Sequence, residues 1–355
     1  MKFRGAATIL AVGVTVALAG CANSGSDADD TDNASAGPAA AAATSDAAAA
    51  GDGCTLDQYG TKKFDLKGAK IGFSQSEPEA AAFRTTETQS IKDEAAKQGV
   101  TLISTNANSQ LSKQISDIQD MIAKGVQGLI VAPLNSDGLE PALSAAKAKG
   151  IPVVTIDRKI NATPCSDYLT FIGSNFVDQG KRAAEAMIKE TGGKATVAIL
   201  LGSSGNNVTT DRTSGFVDTV KSESGIKIVA QQTGEFARDK GQSVTETLLQ
   251  AHKDIDTIYA ENDEMGLGAM AAIRAAGKTP GKDIKIFSID GTKDAVQAIV
   301  DGTYNGVIES NPRFGPLAFQ QLADLNAGKA IPEDVVITDG AYTPDDAKSK
   351  IADAY

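Results

Sequence analysis

Acidic, amide and guanidinium side chains stand directly after most of the apolar runs in this chain. Gln75 ends one run, and Phe83, Arg84 and Glu87 follow it; Asp157 and Arg158 end another. Further along, Gly202-Ser203-Ser204-Gly205-Asn206 leads into Asp211-Arg212, then Glu235, Phe236 and Arg238 follow the next run. Glu261-Asn262-Asp263, Asp290-Gly291 and Glu309-Ser310 close the last three. Such side chains suit a sugar. Carboxylates, amides and guanidinium forks bind adjacent hydroxyls in pairs, and an aromatic face covers the apolar C–H side of a ring. Any one of them could equally be a helix cap or an ion pair between domains, and Asp263 reads as an N-cap. Their convergence on one edge is what favours a site.

Other chemistries lack their residues. One histidine, His252, and three cysteines rule out most His- or Cys-based metal sites, and no cofactor is expected. Gly277-Lys278-Thr279 imitates a phosphate loop, but Ala272 stands where that loop needs glycine. Gly266-x-Gly268 imitates part of a dinucleotide fingerprint, yet it falls inside a helical run. No Gly-x-Ser-x-Gly is present, and His252, at a helix end, is a poor general base. Carboxylate types alone leave glycosidase chemistry open. The expectation is a protein that binds without turnover, so not an enzyme.

The elements that must position these residues are β-α units. Strand-like runs are Lys70–Ser74, Val100–Ser104, Gly128–Ala132, Pro152–Ile156 and Tyr168–Ile172, then Thr196–Leu201, Lys227–Gln231, Thr257–Ala260, Ile284–Ile289 and Tyr304–Ile308. Amphipathic segments lie between most of them. In 110–124, Leu111, Ile115, Ile118 and Ile122 recur at helical spacing. Gly99, Gly125, Gly150 and Gly277 sit where helices stop before the next strand. Strands apolar on both faces predict parallel sheets covered by helices. Ten strands exceed one comfortable sheet, so two α/β domains are expected, with the long connection around 157–168 as further support. In doubly wound sheets ligands bind outside the carboxyl ends of strands, where the polar residues cluster.

The chain has 355 residues and a net charge of -11. Its first part accounts for much of that. Lys2 and Arg4 precede an apolar stretch, Ala6 to Ala17, then Leu18-Ala19-Gly20-Cys21. This predicts an export signal over 1–20, too short to span a bilayer, and its ending resembles the lipobox of bacterial lipoproteins. There Cys21 would be acylated, anchoring the chain to the outer side of the cytoplasmic membrane. Residues 21–53 carry six aspartates and no Lys or Arg among Ala, Ser, Gly and Thr, so they read as a disordered acidic tether. The body from Cys54 keeps a net charge of -7, which argues against nucleic acid as a partner. Cys54 and Cys165 are most simply a disulfide in an exported body; two separate buried thiols are the alternative.

Four motifs resemble one family. Gly72-Phe73-Ser74-Gln75, Ile156-Asp157-Arg158, Glu261-Asn262-Asp263-Glu264-Met265 and Ser288-Ile289-Asp290-Gly291 match, in order and spacing, the type I periplasmic sugar-binding proteins of ABC importers. The resemblance runs from about 70 to 350. Phe83-Arg84, Glu87 and the closing Pro344–Tyr355 segment most resemble the galactofuranose-binding type. It implies two doubly wound lobes joined by a three-crossing hinge, the first over 55–173 and 311–338, the second over 174–310 and 339–355. Phe83 and Phe236 would stack on a monosaccharide. Asp157 and Arg158 would contact hydroxyls from the first lobe, and Arg212, Asn262 and Asp290 from the second. Glu309 and Ser310 lie near another family contact. Arg84 stands where ribose binders have a second Phe, and Ala132 where they have Asn, which points away from ribose. Tryptophan is usual at Phe83 in the galactofuranose type. The implied partners are a membrane permease with its ATPase, and the implied state is a monomer. A sensing lipoprotein that feeds a chemoreceptor or sensor kinase is the other reading. Repressors that share this body carry an N-terminal helix-turn-helix where this chain has a signal and tether.

Overall fold

A computed structural model describes residues 43–44 and 53–355. The signal over 1–20, Cys21 and most of the 21–53 tether therefore lie outside the described residues. Inside the tether, Ala43 is nevertheless buried in the core of the first lobe, and the Thr44 carbonyl accepts from the Thr338 N–H at 2.9 Å. Alanine is small enough to fill that groove, so composition alone did not mark the contact.

The described strands are β1 (Lys70–Gln75), β2 (Thr101–Asn106), β3 (Gly128–Val131), β4 (Val153–Ile156), β5 (Thr170–Ser174) and β6 (Ala195–Leu201), followed by β7 (Ile226–Thr233), β8 (Thr257–Ala260), β9 (Lys285–Asp290), β10 (Gly306–Glu309), β11 (Asp334–Ile337) and β12 (Ala341–Tyr342). They form two six-stranded sheets. The first has the order β11-β5-β4-β3-β1-β2, the second β12-β10-β9-β8-β6-β7. Pairing is parallel throughout except where β12 runs antiparallel to β10. Each sheet thus reverses its winding beside its own first strand, between β1 and β3 and between β6 and β8. Helices cover both faces, and β3, β4, β5 and β8 are buried along their whole length. This is the two-lobed α/β architecture that the apolar runs imply.

Helix ends follow the residues that stop them. Leu111–Ala123 buries Ile118 and Met121, and Gly99, Gly125, Gly150 and Gly277 all adopt left-handed φ between 64° and 75°. Gly266 and Gly268 serve packing: a Cβ on the first would meet the Tyr304 hydroxyl at 1.7 Å, and on the second the Arg238 carbonyl at 2.1 Å.

Two expectations need correction. The 157–168 connection, counted as support for two domains, lies inside the first of them: it joins β4 to β5 within one sheet, where the pair still runs parallel. The first passage between sheets comes after β5, through the helix Phe176–Thr191, and the others lie between β10 and β11 and between β11 and β12. Asp339 draws these three crossings together. Its carboxylate accepts from the Ser174 hydroxyl at 3.2 Å, the Gln179 amide at 2.8 Å and the Asn311 N–H at 3.5 Å. The second correction is Asp263, which is not the cap of its helix. Asn262 is, and its Oδ1 accepts from the Met265 N–H at 3.0 Å. Asp263 lies one residue inside, fully buried, where it accepts from the Gly291 and Thr292 N–H groups and both neighbouring hydroxyls, Ser288 and Thr292.

A disulfide joins Cys54 to Cys165, with Cα atoms 5.3 Å apart.

Candidate functional site

A cleft of about 1160 Å³ opens between the two lobes at the carboxyl ends of their strands. Eight of the twelve residues singled out from the sequence as ligand contacts line it: Phe83, Arg84, Asp157, Arg158, Arg212, Phe236, Asn262 and Asp290. Gln75, Glu87, Glu309 and Ser310 do not.

The first wall is an ion-pair network. Arg84 donates from Nη1 to Asp157 at 2.7 Å and to Glu87 at 2.8 Å, and from Nε to Glu77 at 2.9 Å. Arg158 donates from Nη2 to Glu77 at 2.8 Å and from Nη1 to the Leu134 carbonyl at 2.8 Å. Its Nε is buried without a partner. Behind the wall, Gln75 donates to Glu87 at 2.8 Å and to Thr88 at 3.1 Å. Gln75 and Glu87 therefore hold Arg84 in place and do not face the cleft. Burial pushes the Glu87 carboxyl up to about 7, although Arg84 pulls the other way.

The second wall is built around Arg212. Its Nε donates to Gln179 at 2.9 Å and its Nη1 to the Glu261 carbonyl at 2.5 Å, while Nη2 lies 3.6 Å from Asp290. Gln179 in turn donates to the Asp339 carboxylate, so a chain of hydrogen bonds runs from this wall into the hinge. Burial drives Asp290 well above the usual carboxylate range, and Arg212 offsets this only in part. A ligand hydroxyl donated to Asp290 would supply the partner that burial demands. Glu309 and Ser310 belong to the hinge: Glu309 accepts from the Gly340 N–H at 2.8 Å, and the Ser310 N–H donates to the Asp290 carbonyl at 2.7 Å. They position Asp290 from behind.

Two half-buried rings complete the cleft. Phe83 sits against Phe314 and edge-on to Tyr355, with ring centroids 6.4 and 6.2 Å away. Phe236 lies over Gly202, where a Cβ would come within 2.0 Å of its ring. The Asn262 amide donates to the Phe236 carbonyl at 3.1 Å, so the residue that caps one helix also fixes this ring's loop. Five non-glycine residues lining the cleft hold positive φ: Ser109, Asp157, Glu235, Phe236 and Asp290. Such backbone strain gathers where a fold must aim side chains at a ligand.

A model of the periplasmic binding protein domain matches residues 71–330. The chain belongs to the periplasmic binding protein family. It is 37% identical over 286 residues to the galactofuranose-binding protein YtfQ of Escherichia coli, a match covering 79% of this chain and 90% of YtfQ. A solved Mycobacterium smegmatis structure in complex with β-D-fucofuranose has a TM-score of 0.76 and 38% identity, covering 79% of this chain and 93% of that one. The binding component of the arabinose ABC transporter of Shewanella sp. ANA-3, bound to α- and β-L-arabinofuranose, has a TM-score of 0.77 and 35% identity, covering 80% and 94%. Within this family framework, the sequence reading missed Glu77 and the role of Tyr355. Glu77 stands two residues beyond a strand end, next to Pro78, in a stretch that reads as an ordinary turn. Its meaning comes from Arg158, which is 81 residues away in sequence.

Proposed function

We propose that this chain is an extracytoplasmic solute receptor that captures a monosaccharide in its five-membered ring form between two closing lobes. It then presents the closed form to an ABC permease and its ATPase. The observation that carries the reading is the cleft itself. Arg–Asp pairs stand on both walls, Asp157 with Arg84 and Arg158 on one and Asp290 with Arg212 on the other, with Phe83 and Phe236 available as ring faces. That pairing suits vicinal hydroxyls approached from two sides, and relatives of this chain hold furanoses in their solved structures. Two walls on separate lobes favour closure only when a ligand bridges them. Galactofuranose, L-arabinofuranose and related pentoses and hexoses are the candidates. Acylation of Cys21 would hold the receptor, as a monomer, on the outer face of the cytoplasmic membrane, with no nucleic acid among its partners.

Thermal-shift and calorimetric screening against pentoses, hexoses and galactofuranose tests this. One monosaccharide is expected to stabilise the fold, and Arg158→Ala or Asp290→Ala to abolish that stabilisation. A hit on a non-sugar ligand with silence across all sugars would overturn the reading. Turnover of a furanoside by the purified protein would overturn the binding-only part of it.

A further inference from the structure

Every guanidinium facing the cleft already has a carboxylate partner within the protein. Arg212 has Asp290, and Arg238 has Glu264 at 2.7 Å and Asp294 at 3.2 Å. On the first wall one side chain serves two cations: Glu77 accepts from Arg84 through Oε2 at 2.9 Å and from Arg158 through Oε1 at 2.8 Å. Both arginine side chains are nearly inaccessible, at 7% and 2% exposure, whereas Glu77 keeps 20% and lines the cleft.

We infer that Glu77 sets the charge selectivity of the cleft, so that it takes a neutral sugar and rejects the corresponding sugar acid. This rests on the sugar-binding reading above. The cationic donors of the first wall are already engaged. Arg84 and Arg158 are the two first-wall groups able to clamp a ligand carboxylate in a fork, and Glu77 already takes one nitrogen of each, Nε of Arg84 and Nη2 of Arg158. On Arg158, Nη1 and Nη2 are both engaged and Nε is buried, so no two-nitrogen edge of its fork is open to a ligand. A ligand carboxylate would have to displace Glu77 or lie beside it, and like charges in a partly desolvated cleft repel strongly. Neither Glu87 nor Asp157 bridges the two guanidinia as Glu77 does. Glu87 is fully buried behind Arg84, and Asp157 pairs with Arg84 at 2.7 Å but lies 3.7 Å from Arg158 Nε, beyond hydrogen-bond reach. Glu77 also stays charged throughout the working pH range. Burial alone would raise its carboxyl, but the Arg158 and Arg84 guanidinia outweigh burial and hold it down to about 2.

The test measures calorimetric Kd values for D-galactose, L-arabinose, D-fructose and D-ribose at pH 7.5. The tightest-binding of these is then compared with its own uronate, which carries a carboxylate and can still close the same ring. Wild type is expected to bind the neutral sugar at least about a hundredfold more tightly than the acid, and Glu77→Gln to shrink that ratio at least about tenfold. Glu77→Asp, which keeps the charge, is expected to keep the discrimination. Loss of discrimination in the Gln variant and its retention in the Asp variant separate charge from mere packing. A folded Glu77→Gln protein with an unchanged ratio overturns the inference. So does a wild type that binds acid and sugar equally, and that arm needs no variant to fold. A wild type that binds none of the sugars screened, yet binds a non-sugar ligand, fails the sugar reading itself and is told apart by that first measurement alone.

Discussion

At the residue scale, the cleft depends on contacts that hold contacting groups from behind. Phe236 sits at a φ of 59°, and two neighbours keep it there: the Asn262 amide on its carbonyl and the absence of a side chain at Gly202 under its ring. A methyl group at 202 would occupy the space of the ring's far edge, only 2.0 Å from its Cζ. The ring can swing away, so the fold should survive while the stacking face is lost. Gly202→Ala is therefore expected to weaken sugar affinity about fivefold with little change in melting temperature, since one aromatic stack contributes on the order of 1 kcal/mol. Titration of the purified variant, alongside its thermal melt, checks this; wild-type affinity would show that Phe236 has no part in binding. The residues after the strands were legible because strand ends in doubly wound sheets face the ligand. Which of them point inward was not, because Gln75 and Glu87 stand beside Arg84 in the sequence pattern yet pack behind it.

At the scale of elements, the disulfide is the one covalent tie across the first lobe. It joins the extended residue Cys54, which exchanges backbone hydrogen bonds with Ile331 at 2.7 and 2.9 Å, to the β4–β5 connection 111 residues away. Closing so long a loop restricts the unfolded chain considerably, and losing it should cost about 2–5 kcal/mol. Neither cysteine lines the cleft. Cys165→Ser is thus expected to lower the melting temperature and leave sugar affinity within about twofold of wild type, as thermal unfolding and calorimetry on one preparation would show. A large loss of affinity would mean that the β4–β5 connection shapes Asp157 and Arg158 more directly. Ten strands were legible from apolar runs. β11 and β12 were not, since four residues and two residues at sheet edges carry too little apolar pattern to separate from a loop.

At the scale of the whole molecule, burial of acids dominates the pH response. Desolvation raises Glu87 and Glu261 to about 7 and Asp263 and Asp339 to about 6. An acid raised in this way binds its proton more tightly folded than unfolded. Its contribution is complete below the unfolded value near 4 and is lost as pH climbs through 6 to 7. Glu77, held down to about 2, contributes above its unfolded value and loses that only under strong acid. The melting temperature is accordingly expected to fall between pH 5 and pH 8, by at least about 5 °C if the raised carboxyls act together. Differential scanning calorimetry at the two pH values decides it, and a rise over that interval would contradict the assignment of these buried carboxyls.

The α/β class, the strand ends as the polar rim and the scarcity of residues for metal or nucleophilic chemistry were determined by the sequence alone, because hydrophobic period and residue type are local properties. The pairing of Glu77 with Arg158, the Arg212–Gln179–Asp339 chain into the hinge and the retreat of Gln75, Glu87, Glu309 and Ser310 from the cleft were decided only by the tertiary structure. These are contacts between residues brought together by three crossings of the chain. A side chain's charge is written in the sequence, but whether that charge meets ligand or another side chain depends on which lobe folds against it.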